Sequence, residues 1–297
     1  MNRRQFLGFL VKGIALAAGT ILPSCTSTQP KIQPKIRPQP KKSLENKVLT
    51  PATPTIITPA NQKLRNFPGF LPWIGKIEKY EAPGAKYCFI NIRQMHGIPR
   101  KTAKQIYEEV EDERTRRFLI ADTKYKWKKT EDIQKDIYFI LKNLAADHNL
   151  KDVRAEGFTR QFSKKELEDL YIQESYRILL QCYPTEEEVM HNKDEFFYAA
   201  GAVELLGILG KINLLPGEDK KLNIEANKNA EKDENHPSMF EPREDFPIKT
   251  IAEYESPVVV GVYGARHDFK NNIETWNKNN PDKKFSLIVI TPKSYME

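Results

Sequence analysis

The chain has 297 residues, 39% of them apolar and 29% charged, which suits a soluble globular body and is too long for a peptide hormone or a disulfide mini-protein. Its three cysteines cannot supply a disulfide framework. The formal charge of +7 invites a nucleic-acid partner, but residues 1–66 hold 11 of the 47 bases and one of the 40 acids, so the remainder carries 36 bases against 39 acids, and a body at −3 is no phosphate-backbone binder.

Residues 1–25 have the layout of a secretory leader: Arg3 and Arg4, an apolar stretch from Phe6 to Leu22 interrupted by Lys12 and three glycines, then small residues. The stretch is too short and too broken for a membrane-spanning helix, although a plain N-terminal anchor helix is the alternative. Arg3-Arg4-Gln5-Phe6-Leu7 resembles the twin-arginine export signal, and Leu22-Pro23-Ser24-Cys25 resembles a bacterial lipobox, in which Cys25 becomes the acylated first residue. The expectation is a lipoprotein of the cell envelope, held outside the cytoplasm by acyl chains in membrane lipid. Residues 26–66 follow with seven prolines, no glycine and one acid, a composition that cannot bury a core. As an extended polyproline-type linker it could place a body roughly 100 Å from its anchor.

The body, residues 67–297, alternates short apolar runs with helical patterns, which predicts an α/β fold: one domain with a central, mostly parallel sheet flanked by helices. The expected elements are a strand at Tyr87–Ile92, a helix from Glu131 capped by Thr130, a short strand at Val153–Ala155, and a helix opening on the capping box Ser163–Glu166 and stopping before Pro184. A second box at Thr185–Glu188, a buried helix at Phe196–Leu209 ended by Gly210, and a strand at Ile212–Leu215 come next. A strand at Val258–Val262, a helix at Asn271–Lys278 and a strand at Phe285–Ile290 complete the series.

Four strands each deliver a titratable group just past their carboxyl ends, with glycine beside it: His96 before Gly97, Glu156 before Gly157, Glu218 after Gly217, and His267 shortly after Gly264. In a parallel sheet those ends share one edge, where open α/β folds place their ligand crevice. Two histidines and two carboxylates there would make a metal site or a His/Glu acid–base pair. Each has a duller alternative: Glu156 and Glu218 as solvated turn carboxylates, His96 as a satisfied core histidine, His267 as part of an ordinary loop in which Asp268 only caps the next helix. His148 reads as a C-terminal dipole partner of its helix, and Cys88 and Cys182 as small buried hydrophobes.

Gly264-Ala265-Arg266-His267, Ala155-Glu156-Gly157 and Arg93-Gln94-Met95-His96 together resemble the superfamily of erythromycin esterase-like proteins, ChaN-like haem-binding lipoproteins and TraB/TIKI proteins. Two differences stand out: Arg93 takes the place of a glycine, and Lys220–Lys249 is short and polar where the relatives carry further helices. The resemblance implies a hydrolase in which His96, Glu156 and His267, with or without a divalent transition metal, activate water on an ester or peptide, with Glu218 as a further acid. Histidines acting this way must be neutral, so activity should fall below about pH 6. The alternatives it implies are a lipoprotein holding haem through Tyr263 and His267, or another small-molecule or peptide ligand, without turnover, and a degenerate non-catalytic member.

Overall fold

The structure, a computed structural model, describes Gln62, Phe67 and residues 71–95, 107–172, 201–230, 240–254 and 256–297. Six strands form one sheet: β1 (Ile74–Tyr80), β2 (Tyr87–Gln94), β3 (Asp152–Ala155), β4 (Asn213–Pro216), β5 (Val258–Gly264) and β6 (Phe285–Pro292). Their order is β1-β6-β2-β5-β3-β4. Every neighbouring pair is parallel except β1 with β6. The fold is therefore α/β with a mostly parallel sheet, as the alternation of elements predicts.

Strands β2, β5 and β6 are nearly continuous apolar runs because helices cover both faces of the sheet. On one face Cys88, Ile90, Ile92, Val260, Val262 and Ile288 pack with Ile133, Ile137, Ile140 and Leu144 of helix α1 (Glu113–Asp147) and with Leu206 of α3 (Ala202–Ile208). Between those helices lies the short α2 (Lys164–Leu167), which opens on the expected capping box and runs into a π-helical turn. On the other face the alternate residues Tyr87, Phe89, Val259, Tyr263, Leu287 and Val289 meet Ile248 and Ile251 of α5 (Glu241–Tyr254) and Phe269 and Ile273 of α6 (Phe269–Asn279). Helix α4 (Lys220–Ala230) precedes α5, and α7 (Lys293–Met296) closes the chain.

Three elements differ from the sequence expectation. Helix α1 begins 18 residues earlier, capped by Asp112, whose carboxylate accepts from Thr115 N at 2.6 Å. Thr130 lies in its interior with its hydroxyl donating to Lys126 O (2.9 Å). The added turns carry no two-sided apolar pattern and are supported by ion pairs one turn apart, Glu113–Arg117 (2.8 Å) and Asp122–Lys126 (2.7 Å). Strand β1 is a half-buried edge strand whose lysines and glutamate hide its period. Finally, the polar stretch Lys220–Lys249 contains α4 and most of α5, with Pro247 inside a helix that a proline would ordinarily end. The expected stop before Pro184, the box at Thr185 and the first residues of the Phe196–Leu209 helix lie outside the described residues.

Candidate functional site

Parallel pairing brings the carboxyl ends of β2, β5, β3 and β4 to one edge. Gln94 is opposite Gly264, Ala155 opposite Val262 and Pro216 opposite Ala155. Beyond β3 the chain turns at Gly157, where φ is +88°, a conformation glycine adopts without steric cost. Phe158 O then accepts from Gly217 N (2.8 Å) and Glu218 N (3.1 Å), tying the loop after β3 to the loop after β4. A Cβ on Gly217 would run into the Ala155 carbonyl, so the two loops touch only because that residue has no side chain. After β5, Ala265 N donates to Gln94 O and His267 N to Gly264 O, both at 3.0 Å, which folds the turn back over the sheet edge.

These loops join Glu156 to His267. His267 Nε2 lies 3.4 Å from Glu156 Oε1, and Gly264 N donates to Glu156 Oε2 at 2.6 Å. The other ring nitrogen, Nδ1, lies 3.0 Å from Glu244 Oε1, which also accepts from Asp268 N at 3.1 Å. Glu218 joins through Arg243, whose Nε donates to Glu218 Oε1 (2.9 Å) and whose Nη2 donates both to that oxygen and to Glu156 Oε1 (3.1 Å). The second oxygen of Glu218 accepts from Asn223 Nδ2. Phe240, Tyr263 and Phe269 surround the imidazole with ring centroids 5.6 to 6.0 Å away.

Burial works against a charged imidazole, but the charge of Glu156 and the hydrogen bonds the ring donates to Glu156 and Glu244 overcome it and raise His267 to about 9. His267 is thus an imidazolium at neutral pH. The expectation of a neutral base that loses activity below about pH 6 is accordingly displaced: this ring becomes neutral only near pH 9. Burial likewise opposes the charge of Arg243, and Glu218 and Glu156 more than compensate, raising its pKa. The network holds three carboxylates against two cations, a surplus of one negative charge. Access is graded: the Glu218 side chain is 0% exposed and that of His267 3%, while that of Glu156 is 16% exposed. Glu156 is the group solvent reaches.

The described residues do not by themselves fit a divalent metal. Among them no group of three potential ligands gathers, and the Arg243 guanidinium lies against the same Glu156 oxygen that His267 faces. Tyr263 is buried, with its hydroxyl donating to Gly217 O at 2.8 Å and its own deprotonation pushed up chiefly by burial; it is not presented to a haem iron. Arg93 is engaged elsewhere, 3.7 Å from Glu78 of β1. Asp268 caps α6 through Lys270 N (3.1 Å), His148 caps α1 through its backbone, and Cys88 is buried, its thiol pushed up to about 12 by burial. His96, Cys182, Cys25, Arg3 and Arg4 lie outside the described residues.

Sequence reasoning missed Arg243 and Glu244. Their only local signal is the charge cluster Glu241-Pro242-Arg243-Glu244-Asp245, which resembles any polar helix start; the docking of α5 over the sheet edge makes it part of the site. No family model, no curated protein and no solved structure matches this chain. Among the described residues no helix is long and apolar enough to cross a membrane.

Proposed function

We propose that this chain is a lipid-anchored hydrolase of the cell envelope that activates water on an ester or peptide, with Glu156 as the residue that touches substrate. The supporting observation is the Glu156–His267 pair at the carboxyl edge of the sheet, a carboxyl group that solvent reaches beside an imidazole whose pKa its surroundings raise to about 9. Glu156 takes a proton from the attacking water. Because the network carries one surplus negative charge, that proton brings it to neutrality rather than to excess positive charge. The protonated Glu156 then returns the proton to the leaving oxygen or nitrogen. Arg243 and the His267 imidazolium stand behind the carboxyl group and favour negative charge developing on the substrate carbonyl oxygen. Glu244 fixes the imidazole through Nδ1, and Glu218 anchors Arg243. No step is routed through a metal or haem, and His96 takes no part in it. The reading takes the chain as a member of the erythromycin esterase-like, ChaN-like and TraB/TIKI group that its motifs resemble, exported through Arg3 and Arg4 and acylated at Cys25.

The same network favours a second reading, a non-catalytic member of that group, because every one of its carboxylates already has a partner. Assay of the purified chain on chromogenic esters and a peptide library separates the two. Hydrolysis that Glu156→Gln lowers at least 100-fold, in a variant with unchanged circular dichroism, supports the first. Hydrolysis indifferent to that change refutes it, and no turnover of any substrate favours the second.

A further inference from the structure

The first half of α1 is not part of the core, and its outer face has a composition that the site does not use. Arg114, Arg117, Phe118, Lys124, Tyr125 and Lys128 are all exposed. They recur at three- and four-residue spacings, so they form one stripe along the helix. Phe118 is 70% exposed and Tyr125 58%, against the rule that large side chains are buried. Arg117 is paired with Glu113 (2.8 Å) and Lys128 with Asp132 (2.7 Å), whereas Arg114 and Lys124 have no ion pair among the described residues. Between Arg114 and Lys128 the stripe holds four cations and no acid, with Glu113 and Asp132 at its two ends paired to Arg117 and Lys128, on a body whose net charge is −3.

We propose that this face of α1 docks on an anionic lipid bilayer, with Phe118 and Tyr125 entering the headgroup layer between the flanking cations. Aromatic rings bracketed by lysine and arginine on one helical face are the chemistry of an interfacial helix. Pairing this face with itself would set its cations against one another, which disfavours a self-complementary contact between two copies of the chain. The proposal stands apart from the hydrolase reading and needs no acyl group. If Cys25 is acylated, the 41 residues between it and Phe67 keep the body within roughly 100 Å of the membrane, and docking turns a loose tether into a fixed orientation.

The test uses the full chain with Cys25→Ser, so that no acyl chain contributes, and vesicles of phosphatidylcholine with or without phosphatidylglycerol. Sedimentation should show binding only to the anionic vesicles, weakening with salt. With eight bases and one acid, residues 26–66 should bind such vesicles as well, so two further variants isolate the helix. Arg114→Gln with Lys124→Gln should lower the partition constant roughly thirtyfold, about fivefold for each charge at the surface. Phe118→Trp should add fluorescence that brominated lipid quenches. An unchanged partition constant in the double variant, or no added quenching in vesicle-bound Phe118→Trp, would overturn the proposal and leave adsorption to the linker alone. Binding of an oligonucleotide that is lost in the double variant, without vesicle binding, would overturn it in favour of a nucleic-acid partner.

Discussion

Replacing Arg243 by methionine tests the reading of the site as a charge-balanced buried network. The guanidinium is the only cation bonded to Glu218 in the network, and the Glu218 side chain is 0% exposed. Removing one partner of a buried pair costs about 3–5 kcal/mol, because the other charge is left without compensation. Two features place Arg243→Met near the lower end. Glu156 keeps Gly264 N and His267, and Glu218 keeps Asn223. A loss of about 3 kcal/mol in a body of this size corresponds to a fall in Tm of roughly 6–12 °C. The double variant Arg243→Met with Glu218→Gln removes both charges and should recover about 2 kcal/mol of that loss, a coupling readable in urea melts of the four chains of the cycle. If Arg243→Met costs less than about 1 kcal/mol, or if the two substitutions simply add, the pair is not the energetic link between the loops after β3 and β4 and the reasoning fails.

Three other changes probe the same edge. His267 has its folded pKa raised above the unfolded value near 6.5, so its contribution to stability is complete below that pH and is lost as pH rises through about 9. The unfolding free energy of the native chain, read from urea melts, should therefore fall across pH 6.5–9 by on the order of 3 kcal/mol, while that of His267→Gln stays level in this window; parallel profiles would contradict the assignment. Gly217→Ala drives a Cβ into the Ala155 carbonyl and should lose about 1–3 kcal/mol, with any esterase activity falling too because Glu218 moves with it; a melt unchanged from the parent would rule out the close approach. Tyr263→Phe leaves the Gly217 carbonyl without its buried donor at a cost of about 1–2 kcal/mol by thermal melt, and hydrolysis should survive. Loss of a haem absorption band in that variant would instead restore Tyr263 as a ligand.

Much of this edge was legible because strand ends in a parallel sheet obey a simple geometry. Val258 to Val262 and Tyr87 to Ile92 announce two-sided burial by their continuous apolar runs, and once they lie parallel, Glu156, Glu218 and His267 must approach one another. Arg243 and Glu244 were hidden for a different reason. Their role depends on α5 docking across the sheet through Ile248 and Ile251, and no pattern near residue 243 tells which loop that helix will cover. Pro247 also lies inside α5, where a proline would ordinarily end a helix. The early start of α1 was concealed in the same way, since a helix half supported by ion pairs has no apolar period to reveal it.

Under the proposed hydrolase reading, the charges of the network have a use that support alone does not require. Apolar residues of similar volume would hold the loops together at least as well as buried ion pairs, whose desolvation consumes most of their attraction. Here three carboxylates, an arginine and a histidine sit among Phe240, Tyr263 and Phe269, on a sheet edge that could have been closed with more of the same rings. The charges are also arranged along a gradient, with the fully enclosed Glu218 holding Arg243, and Arg243 and His267 both turned toward the one carboxylate that solvent reaches.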